Sequence, residues 1–419
     1  MTPKEKILYC LLLLFFCTFF YADTDTPNGI ITGVLLVYSF FFFSPLKEKW
    51  RLLKERKHIL FMLLFFGMIG VSLFLSDDRA AGVLFLDRRL PLIYFPVGIG
   101  LLHLRKEFKE KILLGLASIT TLVCFGCLLY AIYASGFFKR PELLYNDSLT
   151  HVIGRQSIYI SLLVTISIFI FGYSIFFKTA SGQKKSVLLL ATLFLFMISY
   201  LLASRNMMLV LYAFTVCFLF YFILKRKKYL EGVTLLMAMG LGIFLVFKFF
   251  PQTINRFKEL SYTKFDYGSM GKESHYNMAV TAGQWNGANF RLAAWPCGWD
   301  LFTKHPVVGV GLGDKQVALR EAYRRKNFQF GVTTNKNIHN NYLDILISTG
   351  LTGLLLFMLG WLVLPVYYAV KHKDWLVVII VATVAFAMFT EVYFDRTFGG
   401  MLVGFLVPFL LTDIEQKKN

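Results

Sequence analysis

Charge is scarce in this chain. Only 16% of its 419 residues are Asp, Glu, Lys or Arg, while 57% are hydrophobic and 45 are phenylalanine. Soluble domains carry roughly 45–50% apolar and about 25% charged residues, so most of this sequence cannot form a water-exposed surface. Secreted, fibrous, disordered and ordinary cytosolic classes are excluded. Cysteine offers no framework either. Cys10, Cys17, Cys124, Cys127 and Cys217 lie in apolar blocks, where cysteine behaves as a small hydrophobe. Cys124-Phe-Gly-Cys127 has CxxC spacing but no second pair, and Cys297 stands alone in a loop, so neither a metal site nor a disulfide is expected. Carboxylates are equally sparse. Asp77-Asp78, or Asp23 and Asp25, could begin an acidic metal loop, but neither pair has supporting carboxylates nearby, and Mg²⁺ wants several oxygen ligands. The Gly309-Val310-Gly311-Leu312-Gly313 run lacks the strand and spacing of a dinucleotide loop. No metal or cofactor is expected.

What the chain does have is long apolar blocks. Leu11–Phe20, Ile158–Phe177 and Leu188–Leu202 are nearly free of charge, and blocks approaching about 20 residues span a hydrocarbon core roughly 30 Å thick. The expectation is an all-α polytopic membrane protein. Twelve spans are read near 7–22, 29–44, 59–75, 91–104, 112–135, 156–177, 186–203, 206–224, 231–250, 341–370, 375–393 and 398–412. The fourth, bounded by Pro91 and Pro96, is short enough to be re-entrant or to lean on Leu84–Leu86. Ile7–Ala22 follows Lys4 and Lys6 like a signal peptide, but Phe20 stands where cleavage needs a small residue. It is read as an uncleaved first span.

The formal charge of +19 does not point to nucleic acid, because the basic residues form short clusters between apolar blocks rather than one face. They mark topology beside membrane lipid. With the N-terminus inside, the cytoplasmic segments hold 23 Lys and Arg and the short external loops hold 8. Both termini are therefore expected in the cytoplasm. The organisation is spans one to nine in 1–250, a folded external loop over 251–340, then three spans and a short tail in 341–419. Inside the loop, a helix is expected over Arg291–Lys304, ending before Pro306. The three glycines then turn, and Asp314 caps a basic helix through Lys326. Loops beyond about 15 residues are usually functional or disordered, and Trp285, Trp295 and Trp299 favour one folded against the bundle.

Four residues on the external side could carry chemistry. His339, in Asn337-Ile338-His339-Asn340-Asn341-Tyr342-Leu343-Asp344, stands at the mouth of the tenth span, where a neutral imidazole can accept a proton. Arg291 opens the loop helix, Arg205 sits in the turn between two apolar spans, and Arg155 begins the sixth span. Each also has a plain structural reading: a polar helix start with Asn340 or Asn341 as cap, an arginine at lipid headgroups, or a snorkelling side chain. Together they fit a lipid-linked phosphate or diphosphate with a base nearby, because arginine stays charged and presents donors suited to phosphate oxygens.

Residues 286–355 resemble the O-antigen ligase / Wzy polymerase family of bacterial envelope glycosyltransferases. The likeness is carried by Arg291-Leu292-Ala293-Ala294-Trp295, by Gly298-Trp299 through His305-Pro306 to Gly313, and by His339-Asn340-Asn341-Tyr342 with Gly350 and Gly353. Ser204-Arg205 is a shorter match. The resemblance implies a GT-C-type fold in the bacterial inner membrane, acting on the periplasmic face without metal or nucleotide sugar. The donor would be a glycan on undecaprenyl diphosphate and the acceptor a sugar hydroxyl, with inversion at the anomeric centre. His339 would be the base, and Arg205 and Arg291 would hold the diphosphate. Arg155 is added from its placement alone. A ligase acting on lipid A–core is preferred. A polymerase using a second lipid-linked repeat, a protein O-oligosaccharyltransferase and a transporter of lipid-linked glycans remain open.

Overall fold

The computed structural model describes residues 1–22, 25–178, 182–227, 257–274 and 284–414, with scattered positions between 229 and 248. Regular structure among them is helical, and a lone β-bridge pairs Glu273 with Trp285. Six helices are long and apolar enough to cross a membrane: Thr26–Phe43, Lys57–Phe74, Lys106–Ala134, Ser157–Phe177, Gly182–Leu202 and Asn341–Lys371. Arg205–Tyr221, Trp375–Met388 and Thr397–Leu410 are apolar but shorter. This is the architecture of an all-α polytopic membrane protein.

Three of the twelve expected spans are not among these helices. The fourth is only the 8-residue helix Pro91–Gly98, about 12 Å long. It follows the Arg79–Arg89 helix through Leu90 alone, which agrees with a segment leaning on its predecessor. The first is the 17-residue helix Pro3–Phe19, opened by a Thr2–Glu5 capping box. The ninth, and with it much of the boundary near residue 250, lies largely outside the described residues, as do Asp23 and the tail beyond 414.

Phenylalanine builds the core. Phe15, Phe95 and Phe405, from three different helices, form a triangle with centroids 5.4, 5.5 and 5.6 Å apart. The helix Thr397–Leu410 is buried along nearly its whole length, as expected of a helix apolar on all sides. At the end of the bundle shared by residues 1–6 and 410–414, Glu5 pairs with Arg105 at 2.8 Å. Lys109 pairs there with Asp374 and Asp413 at 3.0 and 2.6 Å. Arg56 closes the same end, donating to the carbonyls of Gly100, Leu102, Thr412 and Ile414. Helix C-termini leave carbonyls without helical partners, and one guanidinium reaches two such ends at once.

The described part of the long loop has its own core, in which Trp285, Phe290, Cys297, Tyr323, Phe328 and Phe330 gather with Ile347 and Val392 from the bundle. Its main helix runs Gly287–Lys304, capped by Asn286, and Cys297 is buried within it. Asp314 does begin the helix Lys315–Arg325, but its side chain makes no cap. Its carboxylate instead accepts the backbone N–H groups of Asp77 and Asp78, each at 2.9 Å. These two bonds dock the loop through the backbone of Asp77 and Asp78.

The glycines explain how loop and bundle join. The helix Asn341–Phe357 is broken at Gly350, where φ is 66° and ψ is −166°, a region essentially reserved for glycine. The loop turn supplies the missing partners. Leu351 and Thr352 donate to the carbonyls of Pro306 and Val307, and Val310 donates to Ile347. Gly309 permits the approach: a Cβ there would lie 2.5 Å from the Ile347 carbonyl oxygen.

Candidate active site

His339 sits just ahead of a helix start. Asn340 is the N-cap, its side chain accepting from Tyr342 and Leu343. The His339 backbone turns through a positive φ of 47°, and its N–H donates to the Asn337 side chain at 3.1 Å. The ring stands edge-on to Phe290 with centroids 5.5 Å apart, and Nδ1 lies 3.0 Å from Oε2 of Glu391. An ionised carboxylate can only accept, so the ring donates from Nδ1, which leaves a lone pair on Nε2 when the imidazole is neutral. Burial alone would raise the Glu391 carboxyl. The charge and hydrogen bond of His339, with the nearby charge of Arg291, outweigh burial and hold it below the usual range.

Arg291 and Arg205 meet at Gly287. Arg291, one turn into the capped helix, donates to the Gly287 carbonyl. Its Nε and Nη2 reach the Thr390 carbonyl at 3.2 and 2.6 Å, beside Glu391. Arg205 begins the helix Arg205–Arg226 and pairs with Glu259 at 3.0 Å. Glu259 also accepts from Ser274 at 2.9 Å. A Cβ on Gly287 would lie 2.9 Å from a terminal nitrogen of each arginine, so both guanidinium groups crowd one small residue. Arg155 has different bonds. It donates to the carbonyls of Phe19 and Tyr21 at 3.3 and 3.0 Å and lies over Phe398 at 4.7 Å, tying the head of its helix to the end of the first. The structure gathers Arg205, Arg291 and His339 around the Glu391 turn and gives Arg155 an anchoring place.

Two more features adjoin the site. A cleft of about 580 Å³ runs beside it, lined by Leu292, Trp295, Trp299, Asn340, Tyr342 and Phe389 among others. Four buried charges link the segments that carry His339 and Glu391. Lys315 reaches Asp344 and Asp395 at 2.7 and 2.5 Å, and Arg89 reaches the same two at 2.7 and 3.2 Å. Among the described residues, no three His, Cys, Asp or Glu side chains are grouped to hold a metal ion.

The sequence reading missed Glu391, Glu259 and this ionic cluster. Glu391 had a usable signal, since it closes an apolar run on the same side as His339, and an isolated charge there is costly unless used. Glu259 had none.

Residues 188–358 match the O-antigen ligase family model. Over that segment the chain is similar to the O-antigen ligase/Wzy family. No curated protein matches it. The matched segment contains Arg205, Arg291 and His339, with the Gly309 turn and the Gly350 break, and excludes Arg155 and Glu391. The family is one of membrane enzymes that transfer glycans.

Proposed function

We propose that this enzyme transfers a glycan from undecaprenyl diphosphate to a sugar hydroxyl of lipid A–core, with inversion and without metal. The work takes place at the periplasmic face of the bacterial inner membrane. Both termini lie in the cytoplasm, and the twelve spans have a GT-C-type arrangement. One observation carries the reading: a histidine–carboxylate pair lies beside two arginines that converge on a single glycine. Arg291 belongs to both halves, touching Gly287 and backing the Glu391 turn.

In the proposed reaction, Nε2 of His339 takes the acceptor hydroxyl proton as that oxygen attacks the anomeric carbon. The bond from that carbon to the phosphate oxygen breaks, and its electron pair leaves on the diphosphate. Glu391 orients the imidazole and stabilises the imidazolium that forms, as a carboxylate does in hydrolase triads. Arg205 and Arg291 are preorganised by Glu259 and by the Thr390 carbonyl, and they stabilise negative charge as it grows on the leaving group. The aromatic cleft beside Arg291 suits the apolar start of the lipid carrier.

The test is turnover of purified enzyme with a lipid-linked donor and rough lipopolysaccharide. His339→Ala should cost roughly 10²–10⁴-fold in rate, the usual worth of a general base, and near-full activity would sink the mechanism. If elongated lipid-linked glycan forms and the core stays bare, the enzyme is a polymerase with the same chemistry.

A further inference from the structure

Four charged side chains outside the proposed chemistry are buried together, with exposures of 1% for Arg89, 2% for Lys315, 6% for Asp344 and 9% for Asp395. They come from four separate segments. Lys315 is the first residue of a loop helix, Arg89 ends the helix Arg79–Arg89, Asp344 lies in the first turn of the helix behind His339, and Asp395 closes the turn that begins at Glu391. We infer that Lys315 and Arg89 are positioning residues that set the contact between His339 and Glu391. The inference rests on the reading of His339 as the base.

The cluster acts on that contact through charge. Asp344 and Asp395 both bond the same ammonium and the same guanidinium, so their carboxylates are close enough to repel strongly once a cation is lost. Asp344 is fixed within a helical turn that starts at Asn341, directly after the cap that follows His339. Asp395 is four residues beyond Glu391 in a short 3-10 turn. These segments also meet through the Phe394 N–H bond to the Asn341 side chain at 3.2 Å, the Phe357–Phe394 ring contact at 5.7 Å, the packing of Val392 with Ile338 and Ile347, and the His339–Glu391 bond itself. Replacing buried ion pairs by apolar groups is often neutral or stabilising, so stability alone gives little reason for this arrangement. What two cations bridging two carboxylates do provide is a fixed distance between their backbones. Lys315 further ties that distance to the docked state of the loop, because it directly follows Asp314, whose carboxylate holds Asp77 and Asp78.

The experiment compares full-length wild type, Lys315→Met, Glu391→Gln and the charge-balanced Lys315→Met/Asp395→Asn protein in one detergent, below the unfolding range of each. Two quantities are read: kcat against KM for the lipid-linked donor, and the rate at which diethyl pyrocarbonate modifies His339, followed by peptide mass spectrometry. Lys315→Met should lose about 10–100-fold in kcat, the scale expected of a misplacement near 1 Å, with a smaller change in KM. Its His339 should be modified several-fold faster, approaching the Glu391→Gln rate, and the double variant should recover part of both. An unchanged His339 modification rate in Lys315→Met overturns the proposal. If that chain does not assemble, Asp395→Asn should show a smaller rise in the same direction, and no rise overturns it equally. A faster His339 modification in Lys315→Met, together with wild-type turnover of a separate His339→Ala protein, would keep the positioning role and remove the base assignment.

Discussion

Arg205 and Arg291 close on the same glycine from two helices, and a methyl group at Gly287 would stand 2.9 Å from a nitrogen of each. The obstructing atoms are the ends of flexible side chains, so the fold can yield while the guanidinium pair cannot keep its place. Gly287→Ala should therefore melt within about 1 kcal/mol of wild type, as most substitutions without core damage do, yet show a donor KM raised several-fold. Steady-state kinetics beside a thermal melt would check both halves. An unchanged KM would separate the arginines from donor binding.

The His339–Glu391 pair predicts a specific acid dependence. The native Glu391 carboxyl is held below its ordinary value of 4.5. A depressed native pKa stabilises the fold above the unfolded value, and that contribution is lost as pH falls through the native one. The melting difference between wild type and Glu391→Gln should thus shrink as pH falls below about 5. A gap that widens on acidification would contradict the pairing.

Arg56 offers a stability test remote from the site. It satisfies four carbonyls at the ends of two helices. Arg56→Met removes the donor from all four, leaving Thr412 only its bond from Leu104, and should cost about 3 kcal/mol or more, seen as a lower unfolding midpoint with donor KM unchanged in the surviving protein.

Gly350→Ala should be worse. The backbone there has φ 66° and ψ −166°, and a Cβ would sit 2.3 Å from the Val307 carbonyl oxygen. Neither the conformation nor the neighbouring main chain can yield cheaply. The yield of monodisperse protein on size-exclusion chromatography should collapse, and a wild-type yield would show that the break can be straightened.

The sequence made the class of fold legible because apolar blocks and flanking charge are strong local signals. It placed the helix Gly287–Lys304 to within a few residues at its start and at Lys304 at its end, where Pro306 follows closely. It could not separate a short proline-bounded helix at Pro91–Gly98 from a span, since both are simply apolar runs. It singled out Arg205, Arg291 and His339 by residue type and side, yet the groups that orient them are distant in sequence. Glu259 and Thr390 are examples, and a carboxylate or a carbonyl carries no mark of its partner. Asp314 shows the same limit, because helix position predicted a cap and tertiary contact redirected the side chain to another loop.

The break at Gly350 has a consequence for biogenesis. A membrane interior offers no water to unpaired backbone groups, and each one left open there costs several kcal/mol. The segment Asn341–Lys371 depends on Pro306, Val307 and Val310 for partners across its break, so it cannot reach a settled state in the bilayer by itself. The translated loop must dock before the span that follows it is complete. On that account the loop serves as an assembly factor supplied in cis to the helix that follows it.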